Sequence, residues 1–156
     1  MGQRPLSGRP RDLPWILIKS REDNTLLDFI LTLHAYNVYL IIITATISGI
    51  MGIIFYFTKK PVIRQWRIML IITLILGLLQ AAFGLTMVVM GQKPGGGTGL
   101  YYLHYVYGGI VALGIPLVWL SFTTNGQNKR KDMLFYSIAT LIMVAAAIRA
   151  WMTGPA

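Results

Sequence analysis

Four long apolar runs, at 35–57, 68–90, 102–122 and 133–152, dominate the chain, with short polar stretches between them. Crossing roughly 30 Å of hydrocarbon takes about 20 helical residues, so each run is long enough to span a bilayer. A membrane barrel would need shorter segments of alternating polarity, and only helices or closed barrels satisfy the backbone inside lipid. The pattern therefore predicts an all-α fold: an integral membrane four-helix up-down bundle. The breaks agree with the count. Lys59-Lys60-Pro61 ends the first helix, Gly95-Gly96-Gly97 opens the turn after the second, and Asn125-Gly126 starts the turn after the third, because proline stops a helix and glycine or asparagine turns the chain. The connections are short, so consecutive helices run antiparallel.

Residues 1–25 read as a basic N-terminal tail, with Arg4, Arg9, Arg11, Lys19 and Arg21 set around three prolines. Its only apolar stretch, Leu13 to Ile18, is not followed by a small-residue cleavage pattern, so it is not expected to be a signal peptide. It reads instead as a short interfacial segment at Trp15. Residues 26–156 form the transmembrane domain. The pattern leaves open whether 26–33 extends the first helix or lies on the surface; a helix from Leu26 to Phe57 would be about 48 Å long, more than the hydrocarbon requires.

Composition fits a membrane protein: 55% of residues are hydrophobic and 12% charged, against roughly 25% charged in a soluble domain. With no cysteine, disulfides, thiolate metal sites and thiol nucleophiles are excluded. The net charge of +9 could suggest nucleic acid, but the cations fall in short clusters between apolar runs, where a lipid surface accounts for them. Lys59, Lys60, Arg64 and Arg67 follow the first helix, and Lys129, Arg130 and Lys131 follow the third. Basic residues favour the cytoplasmic side, so these mark the inner face and place both termini outside a cell membrane.

Ionisable residues in membrane segments are expensive and point to function. Here they are His34, just ahead of the apolar core of the first helix, His104 in the first turn of the third, and Arg149 in the last turn of the fourth. Odd and even helices run in opposite directions, so all three fall at the outer end. The surroundings of the histidines are alike: Leu33-His34-Ala35-Tyr36-Asn37-Val38-Tyr39 reads much like Leu103-His104-Tyr105-Val106-Tyr107, and each opens a pair of helices. The chain can thus be read as two related helical hairpins. Two imidazoles facing one central space form the ligand pair of a bis-histidine haem. Room for the macrocycle would come from Gly77, Ala81, Gly84 and Gly91 on the second helix, with Gln80 beside them, and from Gly108 below His104. Arg149 and Lys93 are candidate partners for the propionates. Plainer readings stand beside these. Histidines among Tyr36, Tyr39, Tyr101, Tyr102, Tyr105 and Tyr107 also fit an aromatic belt at the lipid boundary, Arg149 also fits a snorkelling anchor, and small residues also serve close helix packing.

The stretch Gln80-Ala81-Ala82-Phe83-Gly84, followed by Leu103-His104 and Pro116-Leu117-Val118-Trp119, resembles the haem-binding four-helix units of haem A synthase. It is also similar to small b-type cytochromes of the cytochrome b561 kind, which place histidines on alternate helices. The resemblance covers roughly the four-helix region. With two histidines and no cysteine, it implies one outer haem b held by His34 and His104, and it gives no support for haem A synthesis.

Other chemistry is poorly provided for. No carboxylate pair faces a common pocket for acid–base work, and the Gly91–Gly99 turn lacks the Lys-Ser/Thr of a phosphate loop. No catalytic residue is assigned, and an electron-transfer or structural role is expected rather than an enzyme. Two function classes remain. One is a small multi-pass b-type cytochrome or haem-binding subunit, passing electrons to a redox partner or a quinone. The other is a cofactor-free structural or assembly subunit of a larger respiratory or photosynthetic membrane complex. A chlorophyll-type pigment would accept the same imidazoles as haem.

Overall fold

The computed structural model describes residues 14–97 and 99–154 of the chain. These form α1 (Pro14–Phe57), α2 (Arg64–Val89), α3 (Tyr102–Phe122) and α4 (Lys129–Thr153), with one 3₁₀ turn at Pro94–Gly97 between α2 and α3. Each of the four α-helices is long and apolar enough to cross a bilayer, so the chain is a multi-pass membrane protein of the all-α class. α3 coincides with its apolar run, while α2 and α4 begin at Arg64 and Lys129, ahead of theirs, because backbone hydrogen bonding reaches back into the charged turns.

Of the two alternatives left open for 26–33, the structure takes the helical one, and the helix begins earlier still: α1 runs unbroken from Pro14, within the region expected as a tail, through 26–33. Forty-four residues make a helix about 66 Å long at 1.5 Å per residue, roughly twice the hydrocarbon thickness. Between Pro14 and Phe57 there is neither proline nor glycine before Gly49, so nothing in the backbone interrupts it. Arg4, Arg9 and Arg11 of the expected tail, and the side chain of Trp15, lie outside the described residues.

Each turn is closed by the residues that punctuate the sequence. Lys59 takes a left-handed conformation (φ 56°), which lets the Lys60 amide donate to Phe55 O at 3.0 Å in the manner of a Schellman cap; Pro61 then blocks continuation. Gly91 (φ 80°) ends α2 in the same way, with the Gln92 amide donating to Met87 O at 2.9 Å. Gly91 is therefore a C-terminal cap and not part of a small-residue face on α2. In the α3–α4 turn, Asn125 (φ 52°) and Gly126 (φ 84°) reverse the chain, and Asp132 gathers the turn's donors: Thr124 N at 2.6 Å, Thr124 Oγ1 at 2.9 Å and Gly126 N at 3.0 Å.

The helices pack in a square in chain order. α4 lies against α1 and α3, α1 also lies against α2, and α2 and α3 share the least extensive interface. α1 and α3 therefore face each other across one diagonal, and α2 and α4 across the other. The centre is apolar, built from Val38, Ile41, Val111, Ile115, Met143, Ala146 and Ala147. Below it, toward the end with the seven clustered cations, Trp66 Nε1 donates to Ser48 O at 2.9 Å, and the Ser137 and Thr140 hydroxyls return to their own helix backbone. The outside is as apolar as the core: Ile43, Ile47, Ile50 and Ile54 form an exposed stripe on α1, and Ile68, Ile71, Ile75 and Leu79 do so on α2. Lipid accounts for such a surface, because tails and aliphatic side chains are equally apolar.

Candidate functional site

Above the apolar centre, at the end away from the seven clustered cations, the diagonal helices α1 and α3 bring His34 and His104 together. Their ring centroids are 6.0 Å apart, with the planes inclined at 43°. Both histidines are half-buried, whereas Tyr36, Tyr39, Tyr102 and Tyr105 around them are exposed. The tyrosines form an outward belt, and the imidazoles turn inward from it.

Each imidazole is held by the other helix of its own hairpin. His104 Nδ1 lies 2.9 Å from Ala150 O on α4. A carbonyl only accepts, so Nδ1 carries the proton and Nε2 keeps its lone pair. His34 Nε2 lies 3.1 Å from Gln80 Nε2 on α2. The amide orientation of Gln80 is set by Asn37, whose Nδ2 donates to Gln80 Oε1 at 2.8 Å and to Leu76 O at 2.9 Å. With its oxygen so engaged, Gln80 presents its NH₂ to His34, and Nε2 of that ring must accept. The His34 proton therefore also sits on Nδ1, which is buried and has no hydrogen-bond partner. Both rings share one tautomer, with a lone pair on Nε2.

The space around the pair is shaped by small residues. A Cβ on Gly84 would lie 3.6 Å from His34 Cε1, and one on Gly154 would lie 2.8 Å from His104 Cε1, so α2 and the end of α4 approach the rings closely. Beside Gly108, one turn past His104, a Cβ would meet nothing within 4 Å, and the same holds at Gly109. This open space lies on the helix that packs least against α2. Gly77 belongs to the helix contact, its Cβ position 2.9 Å from Val111 O, while Ala81 is exposed.

Arg149 is not drawn to the imidazoles. It is exposed, with its guanidinium 5.9 Å from the centre of the Tyr107 ring, the position of an anchor at the lipid boundary. Lys93 lies along the turn, against the Gly97 position. The reading from sequence singled out the histidines but not the role of Asn37 or of the Ala150 carbonyl. Asn37 stands three residues after His34, on the same helix face, and that spacing was the available signal.

Among the described residues, no group of three or more His, Cys, Asp or Glu could hold a metal ion. The pair supplies two donors, which does not meet the four-coordinate demand of a structural zinc. Two imidazoles suffice for a metal whose other positions are filled by a macrocycle. In distance alone, the 6.0 Å between ring centres is compatible with two metal–imidazole bonds of about 2.0 Å, although Nε2 of His34 is turned to Gln80. The shared tautomer, which leaves each Nε2 without a proton, is the one that coordination through Nε2 requires. No protein-family model, curated protein or solved structure matches the chain.

Proposed function

We propose that the protein is a small multi-pass b-type cytochrome or haem-binding subunit of the cell membrane, with His34 and His104 as axial ligands of one haem near the outer face. The supporting observation is the convergence of the chain's two histidines, from opposite corners of the bundle, to 6.0 Å between ring centres. Facing inward leaves His34 Nδ1 buried without a hydrogen-bond partner, a cost that a position in the belt would avoid.

A haem b so ligated supplies a one-electron redox centre. The residues of the chain do the rest. Ala150 O fixes the His104 ring and its tautomer, as outer-shell acceptors do for metal-bound histidine. Val38, Ile41, Val111 and Met143 close the floor below the pair and exclude water from it. Held by His34 and His104, a haem would keep no iron position for oxygen, which favours electron transfer to a redox partner or quinone. The seven cations at the opposite end favour a cytoplasmic position for that end, with both termini outside. Arg149, beside Tyr107 at the same end of the bundle, is the candidate partner for a propionate and equally suits an anchor at the lipid boundary.

The test is a reduced-minus-oxidised absorption spectrum of protein purified after expression with ample haem, with a pyridine haemochrome assay to count haem. A b-type signal near one haem per chain, lost in His34→Ala and in His104→Ala, is the expected result. Folded protein without pigment overturns the reading and favours a cofactor-free subunit of a larger membrane complex.

A further inference from the structure

The two hairpins use equivalent positions alike. His104 meets residue 150, forty-six positions on, and His34 meets residue 80, also forty-six positions on. The chemistry at those two positions differs. Residue 150 offers its backbone carbonyl, a fixed acceptor for Nδ1. Residue 80 offers a side-chain amide, which reaches the opposite nitrogen of the ring and donates to it. That departure places a displaceable side chain on the nitrogen of His34 that carries the lone pair.

We infer that Gln80, with its amide pinned by Asn37, is a positioning residue that holds His34 in the Nδ1–H tautomer and caps its Nε2, so that a ligand entering the site must displace Gln80. An amide side chain that contacted His34 through its oxygen would hold the proton on Nε2 and remove the lone pair. Asn37 prevents that: its Nδ2 occupies Gln80 Oε1, and its second bond to Leu76 O keeps Nδ2 in place. The amide thus presets the ring for coordination while the site is empty, and it is the group that yields. The capping role rests on the haem reading; the tautomer does not, and it is measured without haem.

The experiment uses full-length, haem-free protein in detergent micelles, labelled with ¹⁵N-histidine. Only two histidines contribute, and His104 reports that the fold is intact. In the wild type, both rings should show a protonated Nδ1 and a bare Nε2. In Gln80→Leu, His34 should populate both tautomers while His104 stays unchanged. Asn37→Leu, which frees the Gln80 amide to flip, should do the same and serves if the first variant does not fold. A His34 ring protonated on Nε2 in the wild type, or one unaltered in a folded variant, overturns the inference. With ferric haem as probe, Gln80→Leu should capture it several-fold faster than the wild type, and equal rates overturn the capping role. If neither protein binds haem, the haem reading and the cap fail together, and the tautomer result stands on its own.

Discussion

Trp66 and Tyr136 stand seventy residues apart in the chain and pack ring to ring, with centroids 6.5 Å apart. His34 and His104 show the same offset at the other end of the bundle. Between the two ring pairs, Ile41 and Val111 are both buried in the core, as are Thr73 and Met143. Equivalent positions meet near the central axis, as a twofold relation between hairpins would require. The relation is imperfect in one respect: α1 packs closely on α4, whereas the corresponding pair, α3 and α2, packs least. The open side is the one that carries Gly108.

Close packing at the cation-rich end depends on Gly52. A Cβ there would collide with Ser137 Oγ and lie 2.7 Å from Trp66 Nε1, the group that donates to Ser48 O. Gly52→Ala should cost about 1–3 kcal/mol, the usual range for overpacking, read as a lower thermal midpoint of the purified protein in micelles. Gly109→Ala, where a Cβ meets nothing within 4 Å, should be neutral or stabilising by up to roughly 1 kcal/mol, because alanine favours the helix. Equal effects at the two sites would contradict the packing described.

Asp132 organises the α3–α4 turn by accepting from Thr124 N, Thr124 Oγ1 and Gly126 N. Asp132→Asn exchanges one acceptor oxygen for a donor and confronts it with an N–H or O–H. A buried donor left unsatisfied costs about 1–3 kcal/mol. The variant should lose stability on that scale, while whatever haem is bound per folded chain stays as in the wild type, since the turn lies at the far end from the histidines.

Arg130 on α4 caps the last turn of α1. Its guanidinium donates to Tyr56 O at 3.2 and 2.8 Å and sits 4.9 Å from the centre of the Tyr56 ring, so it joins the Lys59 amide, 3.3 Å away, on a carbonyl at the negative end of the helix dipole. Lysine keeps the charge but not the two-pronged donor set or the flat stacking. Arg130→Lys should therefore lose about 1 kcal/mol, which an unchanged midpoint would refute.

Topology was legible because it depends on apolar length and on breakers, and Lys59, Gly91 and Asn125-Gly126 all turn the chain where the sequence suggests. The meeting of His34 and His104 was legible for a related reason: alternating helix direction places both at one end, and an imidazole that interrupts an apolar run is drawn inward. The Asn37–Gln80–His34 network was not legible, because it depends on the rotation of α1 against α2 and on which end of an amide faces which ring. Arg149 resisted reading for the opposite reason. A long side chain at a helix end reaches either inward or outward from the same position, and Tyr107 supplies an outward partner. The continuation of α1 back to Pro14 was missed because hydropathy marks where lipid begins, not where backbone hydrogen bonding stops.

The histidine end offers the most direct link between packing and the state of the imidazole rings. A Cβ at Gly154 would lie 2.8 Å from His104 Cε1, 3.0 Å from Nδ1 and 3.2 Å from Ala150 O, so a methyl group there enters the hydrogen bond that sets the His104 tautomer. Retreat of the chain is opposed by the Gly95 amide, which donates to Gly154 O at 3.3 Å. Gly154→Ala should therefore loosen His104, give its ring a mixed tautomer and speed haem loss several-fold, with little change in the thermal midpoint of the haem-free protein. At Gly84 the added carbon would meet His34 Cε1 at 3.6 Å, an ordinary van der Waals distance, and Gly84→Ala should leave both rings and haem retention as they are. Haem dissociation into an excess of apomyoglobin, followed by absorbance, compares the two variants directly; fast loss from Gly84→Ala and wild-type retention in Gly154→Ala would mean that the Ala150 carbonyl does not govern His104.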